Sequence, residues 1–203
     1  MVKTISKQIA DYFNQKLDLS REETSSIDYG CQVIFYLLIE IISFILVSSF
    51  LNMFWPVTIA LVVFLILRPY AGGIHMPSYF LCYIFSLLVF ISIGCLVNLV
   101  SIPAKYLISW LVFVFILSLL LINKYAPADT AIQPIKDPSR RRKLKTISLL
   151  IVICWFLISL AIMFSFANYY NLLFAGSLGL LAEVLALHPL AFYVIDKYLP
   201  DQD

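Results

Sequence analysis

The stretch YFLCYIFSLLVFISIGCLVNLV, residues Tyr79–Val100, decides the fold. It carries no charged side chain, and its length matches the ~20 apolar residues that a helix needs to cross a bilayer. Its apolar positions run on without alternation, which argues against a transmembrane β-barrel strand. In lipid every backbone N–H and C=O must be satisfied within its own segment, so the stretch is expected as a helix.

Outward from it the same pattern recurs. Spans are expected at about Gln32–Leu51, Pro56–Leu67, Tyr79–Val100, Ala104–Ile122, Thr146–Phe166 and Leu172–Ile195. Of the 203 residues 62% are hydrophobic and 13% charged, where soluble domains carry about 25% charged residues. Mean hydropathy is +0.95. The expectation is an all-α polytopic membrane protein, with six transmembrane helices and one membrane-embedded domain over residues 1–203. The second span is short, roughly 12–15 residues before Arg68-Pro69 against the ~20 required. Its end, and the residues after it, are therefore expected below the head groups.

Near the N-terminus Ile5, Ile9, Tyr12, Phe13 and Leu17 share one face of a helix over residues 1–19. Such a helix lies in the membrane interface or packs on the protein's own polar end. The first thirty residues hold no continuous apolar core and do not read as a secretory signal. Ser20-Arg21-Glu22-Glu23 has the form of a capping box that starts the first span.

Charge placement gives an orientation. With a cytoplasmic N-terminus, six spans return the C-terminus to the cytoplasm. Of the 14 Lys and Arg residues, four in the N-terminal segment, Arg68, seven in the loop 123–145 and Lys197 then lie inside, and Lys105 alone lies outside. Positively charged loops stay in the cytoplasm. The segment between the second and third spans is thereby expected on the cytoplasmic side.

That segment, Arg68-Pro69-Tyr70-Ala71-Gly72-Gly73-Ile74-His75-Met76-Pro77-Ser78-Tyr79-Phe80-Leu81-Cys82, is the one turn-rich run with reactive side chains. His75 and Cys82 on one continuous helix would be about 10.5 Å apart along its axis, too far for a hydrogen bond. Pro77, however, suits the first turn of the third span. His75 then sits in a loop that Gly72-Gly73 makes pliable and can fold back toward Cys82. An imidazole there accepts the thiol proton, giving a thiolate nucleophile near neutral pH, and later protonates a leaving amine. Arg68 could orient a substrate carboxylate or steady a thiolate or oxyanion. The amides of Gly72 and Gly73 are candidate oxyanion donors.

Spacing alone leaves other readings open. The four cysteines show neither CxxC nor zinc-like spacing, and few further ligands are in view, so neither a metal nor a cofactor is expected. Cys95 and Cys154 read as small buried hydrophobes. Glu40 and Glu183 fall within apolar spans, where a carboxyl lines a polar chamber or bonds between helices. His188 is an interior polar group or a second catalytic histidine. On these residues alone a small transporter using Glu40, Glu183 and His188 ranks ahead of a peptidase, and a non-catalytic membrane scaffold is a third reading.

Two motifs change that order. Arg68-x-x-Ala71-Gly72-Gly73-x-His75-x6-Cys82 resembles the signature of the accessory gene regulator B family, membrane peptidases of Gram-positive quorum sensing. Lys124-Tyr125-Ala126-Pro127-Ala128-Asp129, followed by Pro134-Ile135, resembles the family's second conserved segment. Arg140-Arg141-Arg142-Lys143 follows it, as in the family. Gln133 stands where many members carry Lys.

The resemblance implies a cysteine endopeptidase acting on a short precursor with an amphipathic start, a central signal sequence and an acidic tail. Cys82 would attack the bond on the C-terminal side of the signal, with His75 as base and acid. A Cys or Ser of the precursor would then close a thiolactone or lactone on the acyl-enzyme thioester. Arg68, Gly72 and Gly73 take supporting places. Arg140, Arg141, Arg142 and Lys143 are either the topology signal or the grip on the acidic tail, or both, and Asp129 either fixes the loop or orients His75. The partners implied are the precursor, membrane lipids and a second copy of the chain, and no nucleic acid.

Overall fold

Helix starts show most directly how the sequence shapes the chain. The Ser20 amide donates to the Glu23 carboxylate at 2.9 Å, and the Glu23 amide donates to the Ser20 hydroxyl at 3.3 Å. This is the reciprocal capping box read from the sequence, and it starts helix α2, Arg21–Phe50. The structure, a computed structural model, describes all residues except 1, 18, 75, 77, 101, 129–134, 136 and 199–203.

It falls into two compact units, residues 1–47 and 48–203. In the first, α1 (Val2–Leu17) buries Ser6 and Ala10. Ile5, Tyr12, Phe13 and Leu17 on its apolar face stay exposed, Leu17 at 63%. Within this unit that face is left open, as suits a helix lying in the head-group region.

The second unit is a bundle of α3 (Phe54–Ala71), α4 (Tyr79–Leu99), α5 (Ala104–Tyr125), α6 (Pro138–Ser165), a 3₁₀ turn at Ala167–Tyr169, α7 (Tyr170–Leu185) and α8 (Pro189–Tyr198). Helices α3 and α7 make the most extensive contact, flanked by α4, α5 and α6. The core joins Val63 and Leu67 of α3, Val114 and Ile122 of α5, Val152 of α6, and Leu180 and Val184 of α7. Without a hydrophobic drive between helices in lipid, close backbone approach and internal hydrogen bonds hold such a bundle. At Gly179 a Cβ would come within 2.1 Å of the Ala60 carbonyl oxygen, so only glycine lets α3 and α7 meet there. Gly179→Leu is expected to cost about 1–3 kcal/mol or more through overpacking, read as a lower melting temperature in detergent. A variant that melts with the parent would show that the two backbones do not touch. Nearby, Trp110 donates its indole N–H to the Ser177 hydroxyl, which donates to the Phe174 carbonyl, both at 2.7 Å.

The spans differ from expectation in three places. Helix α3 runs 18 residues and passes through Pro69 to Ala71. It does not stop at Arg68-Pro69, because a proline in the last turn forfeits only one helical bond there. At roughly 27 Å α3 is close to the hydrocarbon thickness, so a short span no longer argues for a recessed motif. Helix α6 starts at Pro138, well before the expected Thr146, so the basic run is helical and not loop. Asp137 caps it, accepting from the Ser139 amide at 2.8 Å and hydroxyl at 2.9 Å. These bonds, the amide's first, hold the Asp137 carboxyl below its usual value. The cap is thus in place at neutral pH and is lost only in acid, as pH falls through that lowered value. Lastly, the sixth span is not continuous, since α7 and α8 meet at a 71° bend. His188 precedes Pro189, and a residue before proline is pushed out of the helical region. Among the described residues five helices are long and apolar enough to cross a membrane, and six spans result when the bent pair counts as one.

Candidate functional site

The C-terminal ends of α3, α5 and α7 and the N-terminal ends of α4 and α6 gather at one end of the bundle, around Arg68. A helix leaves its last carbonyls unpaired, and here Gly72 closes α3 by donating its amide to the Arg68 carbonyl at 3.0 Å. The Arg68 side chain follows the chain onward. Nη1 donates to the Gly72 carbonyl at 3.1 Å and meets Glu183 Oε2 at 3.4 Å, and Nη2 donates to the Ile74 carbonyl. Its guanidinium also lies 5.7 Å from the Phe64 ring centre. The Glu183 side chain is fully buried and that of Arg68 is 19% exposed. Removing one member of a buried pair typically costs about 3–5 kcal/mol, because the other charge is stranded.

Two further elements grip the same segment. The Gly73 amide donates to the Ala128 carbonyl at 3.1 Å, and the Ala128 amide donates to the Ala71 carbonyl at 2.8 Å. Gly72 and Ala128 form a parallel bridge. On the other side the Ile74 amide donates to the Ala186 carbonyl at 3.2 Å, where α7 breaks. Gly72 has φ +74° and ψ −149°, a region essentially reserved for glycine, and a Cβ there would sit 2.2 Å from the Ala128 oxygen. Gly73 also has positive φ, and its Cβ would meet the Arg68 guanidinium at 2.3 Å. The glycine pair is therefore clamped, not pliable. Both of its amides are engaged with backbone carbonyls, which leaves neither as an oxyanion donor. Arg68 is likewise occupied with the loop itself.

Cys82 lies just beyond. Ser78 caps α4, its hydroxyl accepting from the Leu81 amide at 3.2 Å and its carbonyl accepting from the Cys82 amide at 3.0 Å. The cysteine is a free, half-buried thiol at the fourth position of the helix. His75 and Asp129, with Pro77 and Gln133, lie outside the described residues. Cys95 is half-buried and Cys154 exposed, so Cys154 is not the buried hydrophobe expected. A bundle in lipid is apolar on its outer face as well.

The second motif reaches the site through backbone atoms. Arg141 donates to the carbonyl of buried Pro127 at 3.1 Å, and Lys145 donates to the Asn123 carbonyl. Successive residues of a helix point about 100° apart, so Arg140, Arg141, Arg142 and Lys143 fan out around α6 and do not form one basic face. All four side chains are exposed. Tyr125 packs edge-on against His188 with ring centres 5.2 Å apart, and His188 Nδ1 accepts from the Leu190 amide at 3.2 Å. His188 is half-buried, with its Nδ1 satisfied by that amide. Glu40 is half-buried on α2, in the first unit. Among the described residues no three His, Cys, Asp or Glu side chains gather as metal ligands.

The family model described as Accessory gene regulator B matches residues 6–187. The chain belongs to the accessory gene regulator B family. It is 31% identical over 175 residues to AgrB-like protein 2 of Clostridium perfringens (strain 13 / Type A), covering 84% of this chain and 80% of that protein. It is 29% identical over 185 residues to accessory gene regulator protein B of Staphylococcus aureus (strain Newman), covering 91% and 92%. No solved structure matches. Membership implies an accessory gene regulator function in quorum sensing.

For this accessory gene regulator B chain, side-chain chemistry points to Arg68 and Cys82 and backbone freedom to the glycines, while the clamp on Gly72–Ile74 leaves no such mark in the sequence. Its partners are the backbone of Ala128 and Ala186, and no side chain advertises a carbonyl. Glu183 alone carried a signal, as a carboxyl in an apolar span.

Proposed function

We propose that the chain is a membrane cysteine endopeptidase that releases and cyclises a short peptide signal. Cys82 attacks the carbonyl at the C-terminal end of the signal sequence while His75 takes the thiol proton. The tetrahedral adduct collapses, His75 returns the proton to the leaving amine, and the acidic tail departs, leaving a thioester on Cys82. A Cys or Ser side chain of the precursor then attacks the thioester, closes the thiolactone or lactone and frees the Cys82 thiol. Shielding from water favours this closure over hydrolysis.

The observation that carries the reading is a free thiol in the early turns of α4, next to a clamped loop whose residues match the family signature. Peptide amides at a helix start favour negative charge nearby. Arg68, Gly72 and Gly73 support the reaction by holding the loop. Arg140, Arg141, Arg142 and Lys143 attract the acidic tail, an attraction that salt screens. The distribution of basic residues supports a cytoplasmic side for this end of the bundle and for both termini, where a newly made precursor is found. The open face of α1 rests on lipid, and a second copy of the chain completes a homodimer.

A precursor whose ring-closing Cys or Ser is replaced by Ala offers no second nucleophile. Incubated with the full chain in membranes, it is expected to leave a hydroxylamine-sensitive adduct on Cys82, seen as added mass on the peptide containing that residue. Tail release without any adduct would overturn the thioester route.

A further inference from the structure

We propose that Glu183 is a positioning residue of the peptidase site, acting through Arg68 to fix the backbone immediately before His75. The inference rests on the peptidase reading and assigns a role to a carboxylate 115 residues away from Arg68 in sequence.

Glu183 is fully buried on α7. Among the described residues Oε2 meets only Arg68 Nη1, at 3.4 Å, and Oε1 has no hydrogen-bond partner. Burying a carboxylate costs a great deal unless it is paired. Helix packing does not require one here, since Ala60 with Gly179, and Val63, Leu67, Leu180 and Val184, already join α3 to α7. A buried ion pair is often no more stabilising than an apolar pair of the same size. The charge matters through what Arg68 does next.

A guanidinium is a rigid planar fork, so a partner on one N–H sets the direction of the others. With Glu183 on Nη1, the fork delivers Nη1 to the Gly72 carbonyl and Nη2 to the Ile74 carbonyl. Ile74 directly precedes His75 in the chain. Its amide is held separately by Ala186, one residue past the end of α7. Helix α7 therefore holds Ile74 twice, at the amide directly and at the carbonyl through Glu183 and Arg68. Losing the second hold leaves precursor contacts in place but frees the residue that must approach Cys82. Misplacement of a reacting group by about 1 Å costs on the order of 10²-fold in rate.

The test compares full chains in lipid nanodiscs with the cognate precursor: parent, Glu183→Gln, Arg68→Gln and the double variant. Glu183→Gln is expected to lower kcat about 10- to 100-fold with KM within about twofold, and to speed deuterium exchange at the Gly73 and Ile74 amides. The double variant should be no slower than Arg68→Gln alone, because both changes break one contact. If Glu183→Gln does not fold, Arg68→Lys keeps the charge but removes the fork, and the same fall in kcat at constant KM is expected. Parental kcat in the folded variant, unchanged exchange, or losses that multiply would overturn the proposal. Failure of the peptidase reading shows differently, as cleavage that persists without Cys82, while exchange at Ile74 still reports on Glu183.

Discussion

Cells that make the cognate precursor together with a Cys82→Ser chain are expected to accumulate uncut precursor and release no cyclic product. A serine hydroxyl is nearly isosteric with the thiol, but at neutral pH it is a far poorer nucleophile without a dedicated base. Removing the nucleophile of a covalent mechanism costs on the order of 10³-fold or more. His75→Ala is expected to fall as far, and the double change no further, since residues that act as a unit do not add. The half-buried position of Cys82 makes the substitution structurally mild, so membrane abundance should match the parent by immunoblot. Serine at Cys31, Cys95 and Cys154 together should leave cleavage within about twofold of the parent, since thiols outside the mechanism are replaceable. Tail release by Cys82→Ser at the parental rate would end the case for a cysteine peptidase.

Gly72→Val is the second large effect expected. At φ +74° and ψ −149° a β-branched residue is strained by about 1–3 kcal/mol before any contact is counted. Its Cβ would also lie 2.2 Å from the Ala128 carbonyl oxygen, a backbone atom that cannot swing aside. Relief requires opening the bridge between Gly72 and Ala128, with loss of the Gly73–Ala128 hydrogen bond. Cleavage is expected to drop about 10²-fold or more, measured in the same cells. Gly30→Ala supplies the contrast. Nothing lies within 4 Å of a Cβ there and its φ is ordinary, so activity should hold and the helix gain slightly. Equal cleavage by Gly72→Val and Gly30→Ala would mean that the loop is not held as described.

Much of the bundle was legible because lipid imposes one rule on every span. Tyr79–Leu99 differs from the expected third helix by a single residue, and the Ser20–Glu23 box formed as read. Where the reading failed, a proline decided the matter. Pro69 reads as a stop, yet near a helix end the missing N–H matters little. Pro138 lies in what reads as a polar loop, yet Asp137-Pro138-Ser139 is a cap followed by a first-turn proline. Pro189 bends the last span because the residue before a proline is pushed out of the helical region. The site divided along similar lines. Cys82 and Arg68 announce themselves by side-chain chemistry, whereas Ala128 and Ala186 contribute carbonyls that any residue possesses. The pairing of Arg68 with Glu183 joins helices that are remote in sequence, and periodicity within one helix carries no information about it.

The clamp on Ile74 also has an order in time. A membrane protein enters the bilayer as it is synthesised, from the N-terminus onward, and the segment Gly72–Cys82 emerges long before its supports. Ala128 arrives some fifty residues later, and Ala186 and Glu183 only with the last helices. Until α7 has inserted, Arg68 lacks its counter-charge and the Ile74 amide lacks its acceptor. A chain broken off before α7 would keep the Ala128 bridge to Gly72 but lack both the Ala186 acceptor for the Ile74 amide and the Glu183 counter-charge for Arg68. On the proposed peptidase reading, competence therefore comes only with the last helices, and an unfinished chain has no fully assembled site.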